Sequence, residues 1–158
     1  MGHIPSSDRR PEHSGDGVYF FGSFDHAVDD RGRVAVPARY RHAFAEGGVL
    51  RPSGDGCIEL YTNGGFEEEI RSRLGTHVST RDLEGRRVRR GFLPGAFTVE
   101  LDRQGRVLLP AAMREAAALE GRCIVIGCGD YVELWSPQRW EREQTASARA
   151  DAGGEAAP

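Results

Sequence analysis

Lysine is missing from this chain of 158 residues: all 21 basic side chains are arginine. A compositional bias of the source explains this, and so does selection for the planar guanidinium fork, which suits phosphate and guanine edges; the sequence leaves both open. Long apolar runs are missing too. Nothing approaches the roughly 18 consecutive apolar residues of a membrane span, and the N-terminus carries no apolar core of the signal-peptide kind, so a cytoplasmic protein with no membrane partner is expected. Cysteine is scarce. Cys57, Cys123 and Cys128 make an odd count without framework spacing, which suits a reducing compartment rather than a disulfide scaffold. No fourth ligand or close pairing points to zinc, so no metal and no cofactor are expected. Cys57 stands in no motif spacing to His26, His42 or His77, so neither catalysis nor a small-molecule substrate is expected.

Charge gives a less simple answer. A net charge of -3 is unlike the basic domains that bind nucleic acid. Its distribution matters more than its total: Arg31, Arg33, Arg39 and Arg41 fall in a stretch without acids, while Glu67, Glu68 and Glu69 stand together. The expected picture is a locally basic face on an acidic body.

What the chain does have is an internal repeat. Asp29 to Arg41 reads DDRGRVAVPARYR, and Asp102 to Arg114, 73 residues later, reads DRQGRVLLPAAMR. Asp, Arg, Pro and Arg recur at steps of four, as Asp29, Arg33, Pro37 and Arg41 and as Asp102, Arg106, Pro110 and Arg114, with Gly32 and Gly105 just before the motif arginine. A duplication decides the organisation of the whole chain.

Taken in order, residues 1–17 have little to bury and predict a flexible extension. The first repeat unit spans 18–78. An extended segment, 19–28, leads into the Asp-x-x-Gly-Arg turn, in which aspartate accepts backbone N–H bonds and glycine supplies positive φ. A short strand, 33–36, is stopped by Pro37, and a helix follows with Tyr40, Ala43 and Phe44 on its buried stripe and Gly47 at its end. Two more extended segments, 48–51 and 57–61, and a helix around Phe66 complete the unit. Residues 79–92 form a linker expected to be helical, with Thr80 as N-cap and a flaw at Gly85. The second unit, 93–143, repeats the order with strand 106–109, a helix buried through Met113, Ala116 and Ala117 and ended by Gly121, strands 122–127 and 131–135, and a helix carrying Trp140. The tail, 144–158, is expected to be disordered. The class is α+β.

The twin D-x-x-x-R turns, each followed by V-x-[VL]-P and an arginine-bearing helix, resemble the MraZ family over about residues 18–142. That resemblance implies two tandem AbrB/SpoVT-like swapped-hairpin units forming an internal pseudo-dimer with a small β-barrel-like core and short helices. It implies a transcriptional regulator, usually a repressor, of the division and cell-wall gene cluster containing its own gene. It further implies binding to short direct repeats in double-stranded promoter DNA, association with the nucleoid, and assembly into a homo-oligomeric ring. An antitoxin-like or purely structural homo-oligomeric role is the alternative.

Carried onto this sequence, the motif arginines are Arg33 and Arg106, supported by Asp29, Gly32, Asp102 and Gly105. Arg41 and Arg114, on the following helices, and Arg31 and Arg103, in the turns, are further DNA-binding candidates. Asp29 and Arg33 could also pair simply to hold the turn; the two roles coexist if the carboxylate takes one edge of the guanidinium and leaves the other free. Arg86, Arg87, Arg89 and Arg90 read either as a solvated helix face or as a further DNA contact. The first copy, with Arg31, Arg33, Arg39 and Arg41, is expected to dominate the contact.

Overall fold

The two copies trade strands. In the computed structural model, which describes residues 19–155, the order is β1 (Ser23–Ala27), β2 (Arg33–Ala35), a 3-10 helix (Ala38–Phe44), β3 (Gly48–Pro52), β4 (Ile58–Thr62), α1 (Asn63–Leu74) and α2 (Leu83–Phe92). The second copy adds β5 (Phe97–Val99), β6 (Arg106–Leu108), α3 (Ala111–Ala116), β7 (Arg122–Gly127), β8 (Val132–Trp135) and α4 (Pro137–Glu155). Six strands form an antiparallel sheet in the order β1-β7-β8-β4-β3-β5, and β2 and β6 form a separate two-stranded ribbon. Replacing each strand by its counterpart in the other copy reverses that order, so the pairing has a pseudo-twofold. Thus β1 lies on β7 of the second copy with Phe24 opposite Val125, and β5 lies on β3 of the first with Phe97 opposite Leu50.

Alternation along the strands sorts the side chains to two faces. Leu50, Ile58, Leu60, Val125, Val132 and Leu134 face the ribbon and pack with its Val34 and Val107 in the main core. On the other face, Val49 and Tyr61 meet Phe66, Leu74 and Phe92 of α1 and α2, while Ile124, Ile126 and Trp135 meet Trp140 of α4. The ribbon and these helices therefore cover opposite faces of the large sheet. At the pseudo-axis Glu59 stands opposite Glu133. The buried Glu59 accepts from Arg51 Nη1 at 2.6 Å, and Glu133 accepts from Tyr131 Oη at 2.9 Å and Trp135 Nε1 at 3.0 Å.

Several local expectations are corrected. The helix expected after Pro37 is of the 3-10 type and buries Tyr40 and Phe44, with Ala43 only half-buried. In the second copy Ala116 is exposed and Leu119 is buried instead, because Ala118 takes the left-handed turn (φ 54°) three residues before Gly121. The linker helix starts later than expected: Asp82, not Thr80, caps it by accepting from Gly85 N at 2.6 Å. Gly85 is no flaw. A Cβ there would lie 1.7 Å from the Ser79 carbonyl oxygen, so only glycine lets the incoming chain pass. The tail from 144, expected to be disordered, continues α4 to Glu155. Pro137 suits a first turn, and the alanines that follow cost little helix propensity, so the helix anchored by Trp140 has no local reason to stop. The expected extension, 1–17, lies outside the described residues.

Candidate nucleic-acid interface

Each turn is built by its aspartate. Asp29 Oδ1 accepts from the backbone N–H of Arg31 at 3.0 Å and of Arg33 at 2.8 Å, and Asp29 Oδ2 accepts from Arg33 Nε at 2.8 Å. The second copy repeats this: Asp102 Oδ1 takes Gln104 N at 2.9 Å and Arg106 N at 3.0 Å, and Oδ2 takes Arg106 Nε at 2.9 Å. These bonds hold both carboxyls below their ordinary value of 3.8; the backbone N–H of the motif arginine is the largest cause in each case. The carboxylate binds the Nε edge, while each arginine side chain stays 26% exposed.

The arginines after the prolines do not sit over their own turns. Arg41, on the first copy's 3-10 helix, donates from Nε to the Val36 carbonyl at 3.0 Å and lies against Gly105 of the second turn, where an added Cβ would come within 2.4 Å of Nε. Arg114, on α3, lies against Gly32 of the first turn, where a Cβ would come within 2.2 Å of Nη1. The motif glycines thus answer two demands, the turn's positive φ (82° at Gly32, 76° at Gly105) and room for an arginine from the other copy. Backbone bonds carry the same crossing, from Val36 N to Gly105 O and from Leu109 N to Gly32 O, both 2.9 Å. Arg106 Nη1 also reaches Asp29 Oδ2 at 3.5 Å, joining the two turns directly.

The ribbon therefore brings Arg31, Arg33, Arg41, Arg103, Arg106 and Arg114 together. They stand with Asp29, Asp30 and Asp102, six positive charges against three negative on a chain that is net acidic. Arg31, Arg41 and Arg103 are exposed and Arg114 is half-buried. The run in the linker is elsewhere, since α2 lies on the opposite sheet face. There Arg89 Nη2 donates to the Leu74 and Val78 carbonyls at 3.4 and 3.1 Å, and Arg86 donates to Thr80 O at 3.2 Å, which makes these two braces of the α1–α2 connection.

Burial pushes the thiols of Cys57, Cys123 and Cys128 up to about 12. Among the described residues no helix is long and apolar enough to cross a membrane.

Comparison with known proteins now bears on this geometry. A family model described as "MraZ protein, putative antitoxin-like" matches residues 19–86 and again 92–156, one match per copy. The chain belongs to the MraZ family. It is 44% identical over 124 residues to the transcriptional regulator MraZ of Thermomicrobium roseum, covering 77% of this chain and 84% of that one. It is 37% identical to the protein of the same name in Roseiflexus castenholzii, covering 80% and 87%, and 38% identical to that of Heliobacterium modesticaldum, covering 82% and 89%. Both MraZ matches include a complete arginine turn. The pairing of Arg41 and Arg114 with the opposite turns was not legible in the sequence; the step-of-four repeat signals the residues but not which copy they serve.

Proposed function

We propose that this member of the MraZ family is a sequence-specific DNA-binding transcriptional regulator, a repressor of the division and cell-wall cluster that includes its own gene. It acts in the cytoplasm at the nucleoid, on short direct repeats in its promoter, as a ring-like homo-oligomer. We read the exchange of strands between copies as the swapped-hairpin barrel of AbrB/SpoVT-like units. The observation that carries the proposal is the convergence of six arginines from both copies on one two-stranded ribbon, with Arg33 and Arg106 held at Nε and each side chain still 26% exposed, although Nη1 of Arg106 also leans on Asp29. A two-stranded ribbon has the width to enter the major groove, and an arginine so held can make bidentate contact to guanine O6 and N7. The other four arginines suit phosphates, which set register.

Each protomer makes few contacts, so affinity comes from repetition: subunits spaced like the DNA repeats bind with avidity. A heterologous contact between protomers closes into a ring when the rotation allows it. The antitoxin-like reading is kept open by the family's description, and a ring with no DNA preference would favour it. The test is a mobility shift with the DNA upstream of the gene against scrambled repeats at two salt concentrations. Specific retention is expected, with a log–log salt slope of about -4 per protomer from the four arginines assigned to phosphates. Equal binding to both DNAs would remove the regulator reading.

A further inference from the structure

We propose that Leu108 is a base-reading residue, its isobutyl group contacting the 5-methyl of a thymine one step from the base taken by Arg33. The inference rests on the DNA-binding reading above and deepens it. In the ribbon register Arg33 is opposite Leu108, Val34 is opposite Val107, and Ala35 is opposite Arg106. Val34 and Val107 point into the core at 1% and 0% exposure, so the alternate positions form the outer face: Arg33 beside Leu108 and Ala35 beside Arg106. On that face Leu108 is 55% exposed, although a leucine could bury itself in the core or give way to a polar residue. Scattered exposed apolar residues are common. This one stands in a four-residue face whose other large side chains are the two motif arginines.

The dimensions fit. Directly opposed residues in an antiparallel ladder have Cβ atoms about 4.5–5.5 Å apart, and successive bases on one strand are about 3.4 Å apart. A side chain opposite Arg33 therefore reaches the neighbouring base, where the thymine methyl is the one apolar feature of the major-groove edge. The pseudo-twofold breaks at this point, because the counterpart of Leu108 is Ala35. Arg106 has only a methyl group beside it, too short for the same reach. The two turns would then read different short sequences, Arg33 with a thymine requirement and Arg106 without one.

Leu108 also borders a groove of about 240 Å³ with Phe97, Val99 and Pro110, so a neighbouring protein chain is the competing occupant. A protein partner covering Leu108 would bring Arg33 and Arg106 under it as well, desolvating two guanidiniums whose ion-pair partners among the described residues are aspartates. DNA supplies both the apolar contact and the anionic one.

The experiment compares the upstream DNA made with thymine and the same DNA made with deoxyuridine throughout, which removes the methyls and keeps base pairing. Wild type is expected to bind the thymine DNA about 3- to 4-fold more tightly, the size of one buried methyl. Leu108→Ala should bind thymine DNA more weakly than wild type by a similar factor and lose most of its preference over deoxyuridine DNA. Ala35→Leu should gain a second preference of the same size. If wild type and Leu108→Ala respond equally to the loss of the methyls, the inference is overturned. It is also overturned if Leu108→Ala changes the oligomer mass measured by light scattering without DNA, since Leu108 would then be a contact between chains. Failure of wild type to prefer the upstream DNA over scrambled DNA would instead overturn the reading beneath it.

Discussion

The first turn carries Asp30 and Arg31 where the second carries Arg103 and Gln104. Along the chain the first copy looks the more basic, because Arg39 and Arg41 follow it closely. Counted at the turns alone the order is reversed, Arg39 being held over the Phe21 and Phe24 rings. Arg41 lies on the second turn and Arg114 on the first. The first turn therefore gathers Arg31, Arg33 and Arg114 against Asp29 and Asp30, and the second gathers Arg103, Arg106 and Arg41 against Asp102 alone. The expectation of a dominant first copy rested on sequence proximity, and the exchange of elements redistributes that charge. Leu108, contributed by the second copy, stands beside Arg33 of the first, so the less basic turn gains the apolar neighbour.

The most severe way to break the comparison is to fill the space the crossing arginines use. Gly32→Val and Gly105→Val each force a β-branched residue into positive φ and into a guanidinium, and should lower stability by about 2–3 kcal/mol each in urea unfolding. If either is nearly neutral, the left-handed turn at that glycine is wrong. A smaller effect separates the turns without unfolding them. Arg41→Ala should weaken the half-site read by Arg106, and Arg114→Ala the half-site read by Arg33; each should reduce the salt slope by about 1. Binding titrations on DNAs with one half-site scrambled check this, and effects confined to each residue's own copy would contradict the exchange.

The smallest effect is on acid stability. Asp29 and Asp102 are held below 3.8 in the folded protein, so their stabilisation is fully present above the ordinary carboxylate value and is lost as pH falls through 3.8 toward the lowered values. The double variant Asp29→Asn with Asp102→Asn keeps a turn-forming side chain and should show a shallower fall in melting temperature between about pH 4 and pH 2.5 than wild type. An unchanged fall would mean that the turn carboxylates do not contribute.

Much of this was legible in the residues because it is local. The aspartate, glycine and arginine of each turn are fixed by spacing within five residues, and the structure puts Asp29 and Asp102 on the backbone groups the motif requires. What escaped is nonlocal. No periodicity within one copy indicates that β1 pairs with β7 or that Arg41 belongs beside Gly105, since these depend on how two similar halves pack. Gly85 looked like a helix flaw because the crowding at Ser79 comes from chain outside the helix. The tail looked unstructured because alanine, glycine and serine bury little, yet a helix started by Pro137 and anchored at Trp140 extends through them.

The central claim is that Arg33 and Arg106 are presented outward by rigid turns to read DNA. It is tested most directly by titrating the upstream DNA with wild type, with Arg33→Ala, with Arg106→Ala and with the double variant, alongside circular dichroism and light scattering of each protein. The account predicts that Arg33→Ala and Arg106→Ala each weaken specific binding, that the double variant binds upstream and scrambled DNA alike, and that folding and oligomer mass stay unchanged. A double variant that still prefers the upstream DNA as strongly as wild type would contradict it.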